Sequence, residues 1–153
     1  MKLAKNFSLK EMTASQTADR LGIKNEPDKQ QLVNLCLLCN SVLQPVRDHF
    51  NKVVTVSSGL RVKEVNRAIG SSDKSQHVSG QASDFEIYGL DNLFVAQYIA
   101  QHLDFDQLIL EFYTPPNGGW IHVSYNVDNN RKEIKTAKRD KDNKVYYSLG
   151  FNV

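Results

Sequence analysis

The segment SQHVSGQASD (75–84) places a histidine and an aspartate seven residues apart, His77 and Asp84. Imidazole nitrogen and carboxylate oxygen are common zinc ligands where thiolates are absent. Gly80 and Ala82, which lie between them, allow a tight turn and a close approach of the backbone. The segment is therefore either a surface loop or part of a metal site that needs a third ligand.

A third ligand is expected from a neighbouring strand, because catalytic zinc has three protein ligands and one open position. His122 lies inside WIHVS (120–124), where its neighbours are typical of a buried strand. His49 and His102 lie near the ends of predicted helices, where a histidine commonly caps carbonyl groups. His122 is thus the candidate third ligand, although a strand histidine is also often a core residue.

The two cysteines, Cys36 and Cys39, form a CxxC pattern, which occurs in redox pairs and in zinc sites. A zinc ribbon needs a second pair, and the chain has no further cysteine. Both lie in a predicted helix among leucines, which favours small buried apolar side chains over a metal or redox role.

The elements that must position these residues follow from hydrophobic periodicity and turn-forming residues. A capping box at Ser8 and Glu11 begins a first short helix. Strands are predicted at 53–59, 83–87, 105–112 and 120–126, and further helices at 14–21, 29–50, 62–69 and 91–103. Mixed helices and strands with short connections indicate an α+β fold. We predict a single domain over 1–153, with a small antiparallel sheet flanked by helices and a C-terminal hairpin or tail at 127–153.

The length of 153 residues and the 41% hydrophobic content are those of one globular domain. The net charge of +2 provides no electrostatic basis for binding nucleic acid. No apolar run is long enough to span a bilayer, and the N-terminal residues lack the apolar core of a secretory signal. We therefore expect a monomer that is made in the cytoplasm, without a nucleic-acid partner and without membrane insertion.

Segment 75–84 resembles the SxHxxGxAxD signature of the zinc peptidases of family M15, the D-Ala-D-Ala carboxypeptidase group. The strand WIHVS (120–124) resembles the third-ligand segment of that family, and SGLR (58–61) followed by Asn66 resembles its SGYR…N element. The opening FSLKEMTAS (7–15) resembles the start of the phage-associated branch. Together these elements span most of the chain in the order expected of the family.

The resemblance implies a small α+β domain shared with lysostaphin-type peptidases and the hedgehog signalling domain, with one zinc ion on an antiparallel sheet. His77, Asp84 and His122 match the three zinc ligands of the family. Arg61 matches the arginine that binds a substrate carboxylate or polarises the scissile carbonyl, and a planar guanidinium suits either task. Without the SGLR context, Arg61 would be interpreted as a surface residue at the start of a helix.

One position departs from the family pattern. Many M15 enzymes carry a glutamate three residues before the last histidine, as the general base, and here that position is Gly119. The nearest upstream carboxylate on a predicted strand is Glu111, which alternation places opposite a core face of Leu108, Leu110 and Phe112. We hypothesise that Glu111 is the base or holds the attacking water, which requires a strand register that puts it on the same face as the last histidine. The alternative is that Glu111 pairs with a lysine or an arginine.

The resemblance implies a zinc metallopeptidase that hydrolyses peptide bonds in the stem peptides of bacterial peptidoglycan. Ser75 and Gln76, beside the first ligand, are candidate substrate-binding residues together with Arg61, and a loop-capping role is equally open for Ser75. The family and the lack of a wall-binding module indicate a phage or prophage endolysin that acts on the wall after release, or a virion-associated lysin. Carboxypeptidase and endopeptidase activity are both open. The alternative function is a zinc-containing binding or virion structural module without catalysis.

Overall fold

The computed structural model describes all 153 residues. Its strands are β1 (Lys2–Ala4), β2 (Phe7–Ser8), β3 (Thr55–Ser58), β4 (Ala82–Glu86), β5 (Gln107–Thr114), β6 (Gly118–Ser124), β7 (Glu133–Arg139) and β8 (Val145–Leu149). Its helices are α1 (Leu9–Thr13), α2 (Gln16–Leu21), α3 (Lys29–Leu38), α4 (Gln44–Phe50), α5 (Lys63–Ala68) and α6 (Asn92–His102), with a π-helical segment, Cys39–Leu43, between α3 and α4. No helix in the chain has both the length and the apolar character needed to cross a membrane.

The predicted α+β domain with helices flanking one main sheet is confirmed, and this sheet has six strands in the order β3-β4-β6-β5-β7-β8. The sheet is mixed rather than wholly antiparallel, because β7 pairs with β5 in parallel while the other four pairings are antiparallel. The reason is topological. Because β6 runs antiparallel to β5, the end of β6 lies beside the start of β5. A short connection from that point therefore leads onto the free edge of β5 in the direction of β5 itself.

The core lies between one face of the main sheet and the helices. Alternating strand residues such as Leu108, Leu110 and Ile121 are fully buried there, as the alternation in the sequence predicts. The prediction was wrong for Phe112, which has a φ of 52° at an irregularity in the pairing of β5 with β6. This bulge places the ring centroid of Phe112 5.4 Å from the ring centroid of Trp120. Tyr113 packs against the core in place of Phe112.

The predicted long helix at 29–50 is interrupted by the π-helical segment. Pro45 has no amide hydrogen, so one hydrogen bond of the helix is lost there, and the amide of Gln44 donates to the carbonyl of Cys39. Cys39 is fully buried, and burial raises the pKa of its thiol to about 12. Cys36 is half-buried and neither cysteine is in a disulfide, which agrees with their interpretation as apolar residues of the helix.

Candidate metal centre

Three side chains converge on the face of the sheet that points away from the core. Asp84 on β4 lies directly opposite His122 on β6, and His77 comes from the turn that precedes β4. The Oδ1 atom of Asp84 is 3.0 Å from Nδ1 of His122 and 3.4 Å from Nε2 of His77. Their ligand atoms all lie within 4.8 Å of one another, so the group could hold one metal ion.

The turn that carries His77 is fastened to helix α3. Gly80 has a φ of 75°, and a Cβ at this position would lie 2.7 Å from the carbonyl oxygen of Gln31. The side chains of Gln31 and Asn34 donate to the carbonyls of Val78 and Ser79, at 2.8 and 2.9 Å. Only glycine therefore fits this close contact. The two amide side chains that hold the turn carry no local sequence pattern and were not identified from the sequence.

The second ring nitrogen of His77 determines its tautomer. Its Nδ1 lies 2.8 Å from the carbonyl oxygen of Gly59, which can only accept, so Nδ1 carries the hydrogen. Burial lowers the pKa of His77, against the opposing effect of Asp84, and keeps the ring neutral. The Nε2 lone pair and the carboxylate of Asp84 then face each other at 3.4 Å as two acceptors. A cation between them satisfies both groups, so the arrangement fits a bound metal ion.

The charge state of Asp84 also suits a ligand. Burial acts to raise the pKa of Asp84, but the hydrogen bond with His122 outweighs it and holds this pKa well below its usual range. One ionised carboxylate with two imidazoles is a donor set typical of catalytic zinc, with a further position open to water or substrate.

Arg61 is held at the edge of the same site. Its Nε donates to Oδ1 of Asn66 at 2.9 Å, and its Nη1 donates to Oγ of Ser58 at 3.1 Å. Nη1 also lies 3.9 Å from Oδ2 of Asp84. Asn66 is fully buried and is fixed in turn by donating to the carbonyl of Ser72. The guanidinium is thus oriented by its neighbours, while Nη2 makes no hydrogen bond to the protein and is available to an anionic ligand.

Glu111 lies on the same sheet face as the metal group. It pairs opposite Trp120, and since side chains alternate along a strand, it shares a face with His122. The register condition for the Glu111 hypothesis is therefore met, and no lysine or arginine forms an ion pair with Glu111. A cavity of about 320 Å³ is lined by Glu111, Arg61 and all three members of the metal group.

Burial raises the pKa of Glu111 to about 7, and the charge of Asp84 acts in the same direction. His122 and Arg61 oppose this shift in pKa. The buried Nε1 of Trp120, on the neighbouring strand, makes no hydrogen bond within the protein. A carboxyl group with a pKa near neutrality can both accept and return a proton at physiological pH.

The strand geometry explains the glycine at position 119. Gly119 has a φ of 73°, and a Cβ there would collide with the backbone carbonyl of Glu111 and with the backbone of Phe112. The bulge between β5 and β6 therefore excludes a glutamate at this position, and Glu111 is the carboxylate that joins Asp84 in the cavity.

The two remaining candidate residues are placed differently. Ser75 lines the cavity, and its Oγ accepts from the amide of His77 at 3.3 Å, so it caps the turn and also faces the site. The side-chain amide of Gln76 donates to Oδ2 of Asp106 at 2.7 Å. Gln76 does not line the cavity. Gln76 thus anchors the loop, and its contact with substrate stays a prediction. The cavity is also lined by residues not identified from the sequence, Ser71, Gln107, Ile109, Trp120 and Tyr147.

Comparison with known families identifies the chain's family. A family model described as Peptidase M15 matches residues 5–124, which is most of the chain. The matched region contains the metal group, Arg61 and Glu111, and it ends before β7 and β8. No curated protein matches the chain.

Proposed function

Since the chain belongs to the peptidase M15 family, we propose that it is a zinc peptidase that hydrolyses peptide bonds in the stem peptides of bacterial peptidoglycan. The observation that carries this proposal is the convergence of His77, Asp84 and His122 in one cavity with Arg61 and Glu111. A metal group alone is compatible with a binding module. Amide hydrolysis also uses a group that accepts a proton and a group that stabilises negative charge. A carboxylate and a cationic side chain beside the metal group can supply both.

Each residue has a defined task in this reaction. The two histidines and the aspartate would hold a zinc ion, which would act as a Lewis acid toward the scissile carbonyl and the attacking water. The Glu111 carboxylate takes a proton from that water and transfers it to the nitrogen of the leaving amine. The Nη2 group of Arg61 binds a substrate carboxylate or the oxygen on which negative charge develops.

The size of the cleft supports a substrate longer than a dipeptide. Arg61 lines the cavity at the metal group and also a wider groove of about 620 Å³, which runs between the start of α2 and β3. Polar side chains of this groove, including Ser15 and Ser57, offer hydrogen bonds to a peptide backbone. A chain bound at the metal can therefore continue past Arg61, as a stem peptide attached to a larger polymer would.

We further propose that the protein is a phage or prophage endolysin, made in the host cytoplasm and acting on the wall after release, or a virion-associated lysin. The support is the similarity of residues 7–15 to the opening of the phage-associated branch. D-Ala-D-Ala carboxypeptidase and endopeptidase activity both fit this site, because the bond that is cut depends on how loops around the cleft position the stem peptide.

Digestion of purified peptidoglycan, read by mass spectrometry of the released fragments, tests the function. We expect the zinc-loaded wild type to release new fragments, whose masses identify the bond that is cut. Glu111→Gln should retain zinc but lose activity, whereas His77→Ala should lose both while keeping a folded circular dichroism spectrum. His49→Ala is the matched control, because His49 is exposed and outside the cavity. A wild type that binds one zinc ion and releases no fragment would instead support the non-catalytic binding module.

A further inference from the structure

The C-terminal hairpin of β7 and β8 lies outside the region matched by the family, yet it completes the cavity at the metal group. The parallel pairing of β7 with β5 places Ala137 beside Glu111, and the antiparallel pairing of β8 places Tyr147 opposite Ala137. Residues that pair across a sheet share a face. Tyr147 therefore projects on the same face as Glu111, and it lines the cavity.

The strand order places Arg61 and Tyr147 at opposite ends of the cavity. Arg61 follows β3, which is one edge of the main sheet, and Tyr147 belongs to β8, which is the other edge. The metal group lies between them, on β4, β6 and the turn before β4. A ligand that crosses the metal group from Arg61 toward the opposite edge therefore meets the side chain of Tyr147.

The side chain of Tyr147 is available to such a ligand. It is 55% exposed, and its hydroxyl makes no hydrogen bond within the protein. Burial raises the pKa of Tyr147, and the charges of Glu111 and Asp84 act in the same direction, so the phenol keeps its hydrogen. Lys135 lies on the same face, and its Nζ is 5.9 Å from the centroid of the Tyr147 ring. This places the ammonium in cation–π contact with one side of the ring.

We propose that Tyr147 is a substrate-contacting residue that forms one wall of the cleft, where its ring packs against the bound peptide and its hydroxyl donates to a peptide carbonyl or carboxylate oxygen. The inference rests on the proposed peptidase function. It assigns a role in specificity to a hairpin that is not part of the matched family region. The hydroxyl can be removed alone, or together with the ring, so the two contributions can be distinguished.

The neighbouring tyrosine provides a matched control. Tyr146 is 46% exposed and belongs to the same strand, but it pairs opposite Lys138 and projects from the other face of the sheet. Truncation of Tyr146 therefore reproduces the loss of an exposed aromatic side chain from β8 without changing the cleft.

The experiment compares Tyr147→Ala, Tyr147→Phe and Tyr146→Ala with the wild type in zinc-loaded form. KM for a soluble stem peptide is measured, and its Kd is measured by calorimetry in a Glu111→Gln background that does not cleave it. We expect Tyr147→Ala to raise KM and Kd about tenfold through the loss of ring and hydroxyl. Tyr147→Phe should raise them about threefold through the loss of one hydrogen bond, and Tyr146→Ala should change them less than about twofold.

The outcomes separate the two proposals. Zinc content and thermal midpoint should be the same in all variants, because Tyr147 is not a ligand and is largely exposed. If the wild type cleaves stem peptide and Tyr147→Ala does so with unchanged KM and Kd, the assignment of Tyr147 is overturned and the function stands. Equal effects of Tyr146→Ala and Tyr147→Ala would also overturn it, since they would reflect the stability of the hairpin. A wild type that neither binds nor cleaves stem peptide overturns both proposals.

Discussion

The ionisation of Glu111 allows a thermodynamic test of its position beside the metal group. In the metal-free protein, burial raises the pKa of this carboxyl from 4.5 to about 7. The folded state thus favours the protonated form. The stability that this form contributes is fully present below pH 4.5 and is lost as the pH rises toward 7. A pKa difference of this size corresponds to about 3 kcal/mol in the free energy of unfolding.

The perturbation is Glu111→Gln, which keeps the shape of the side chain and removes its ionisation. The free energy of unfolding is measured by urea denaturation between pH 4 and pH 8, in the presence of a chelator. We expect similar stability of the two proteins at pH 4, and the variant to be about 2–3 kcal/mol more stable at pH 8. The pKa of His77 is also shifted by burial, but His77 is present in both proteins and its contribution largely cancels in the difference.

The matched control is Glu86→Gln, because Glu86 lies on β4 of the same sheet and its side chain is exposed to solvent. This variant should change the free energy of unfolding by less than about 0.5 kcal/mol. Parallel stability curves for the wild type and Glu111→Gln across the pH range would refute the buried position of the carboxylate. Glu111 would then be too solvated to act as the base inferred from its register.

Three further predictions concern the metal, the loop anchor and the bulge. Removal of zinc with a chelator should lower the thermal midpoint, since zinc at a hundredfold excess over its Kd stabilises the fold by about 2.7 kcal/mol. Asp106→Asn should lower the free energy of unfolding, measured by urea denaturation at neutral pH, by about 1–3 kcal/mol. Burial would raise the pKa of Asp106, but hydrogen bonds from Arg131 and Gln76 lower it, so this cost should shrink as acid protonates the wild-type carboxylate. In the same assay, Gly119→Ala should lower the free energy of unfolding by about 2 kcal/mol more than Gly89→Ala does. Both glycines have positive φ, but only at Gly119 would a Cβ meet the backbone of the neighbouring strand, and equal costs would contradict this account.

Local patterns in the sequence predicted much of the fold because the forces behind them act over a few residues. The capping box of Ser8 and Glu11 is present with both of its hydrogen bonds, at 2.8 and 3.2 Å. The strands that carry Asp84 and His122 lie close to their predicted bounds, because alternation of apolar residues indicates a half-buried strand. The first two strands, β1 and β2, are only three and two residues long and carry no such alternation, so they were not predicted.

Pairings between distant segments could not be predicted in the same way. The parallel addition of β7 to β5 depends on which sheet edge is free after β6 has paired, and no residue within β7 encodes it. For this reason the wall provided by Tyr147 has no local signal. The contact between Nδ1 of His77 and the carbonyl of Gly59 is equally invisible in the sequence, because a backbone carbonyl is common to every residue.

The donor types of the metal group follow from the sequence alone, since the spacing of His77 and Asp84 and a strand histidine at position 122 supply two imidazoles and one carboxylate. Glu111 is identified there as a candidate base, but the sequence leaves open whether the strand register puts it on the face of His122 or on the opposite face. The folded sheet shows that Glu111 pairs opposite Trp120 and faces the metal group. A slip of one residue moves every side chain of a strand to the other face, and the register is set by the bulge and by packing across the whole sheet.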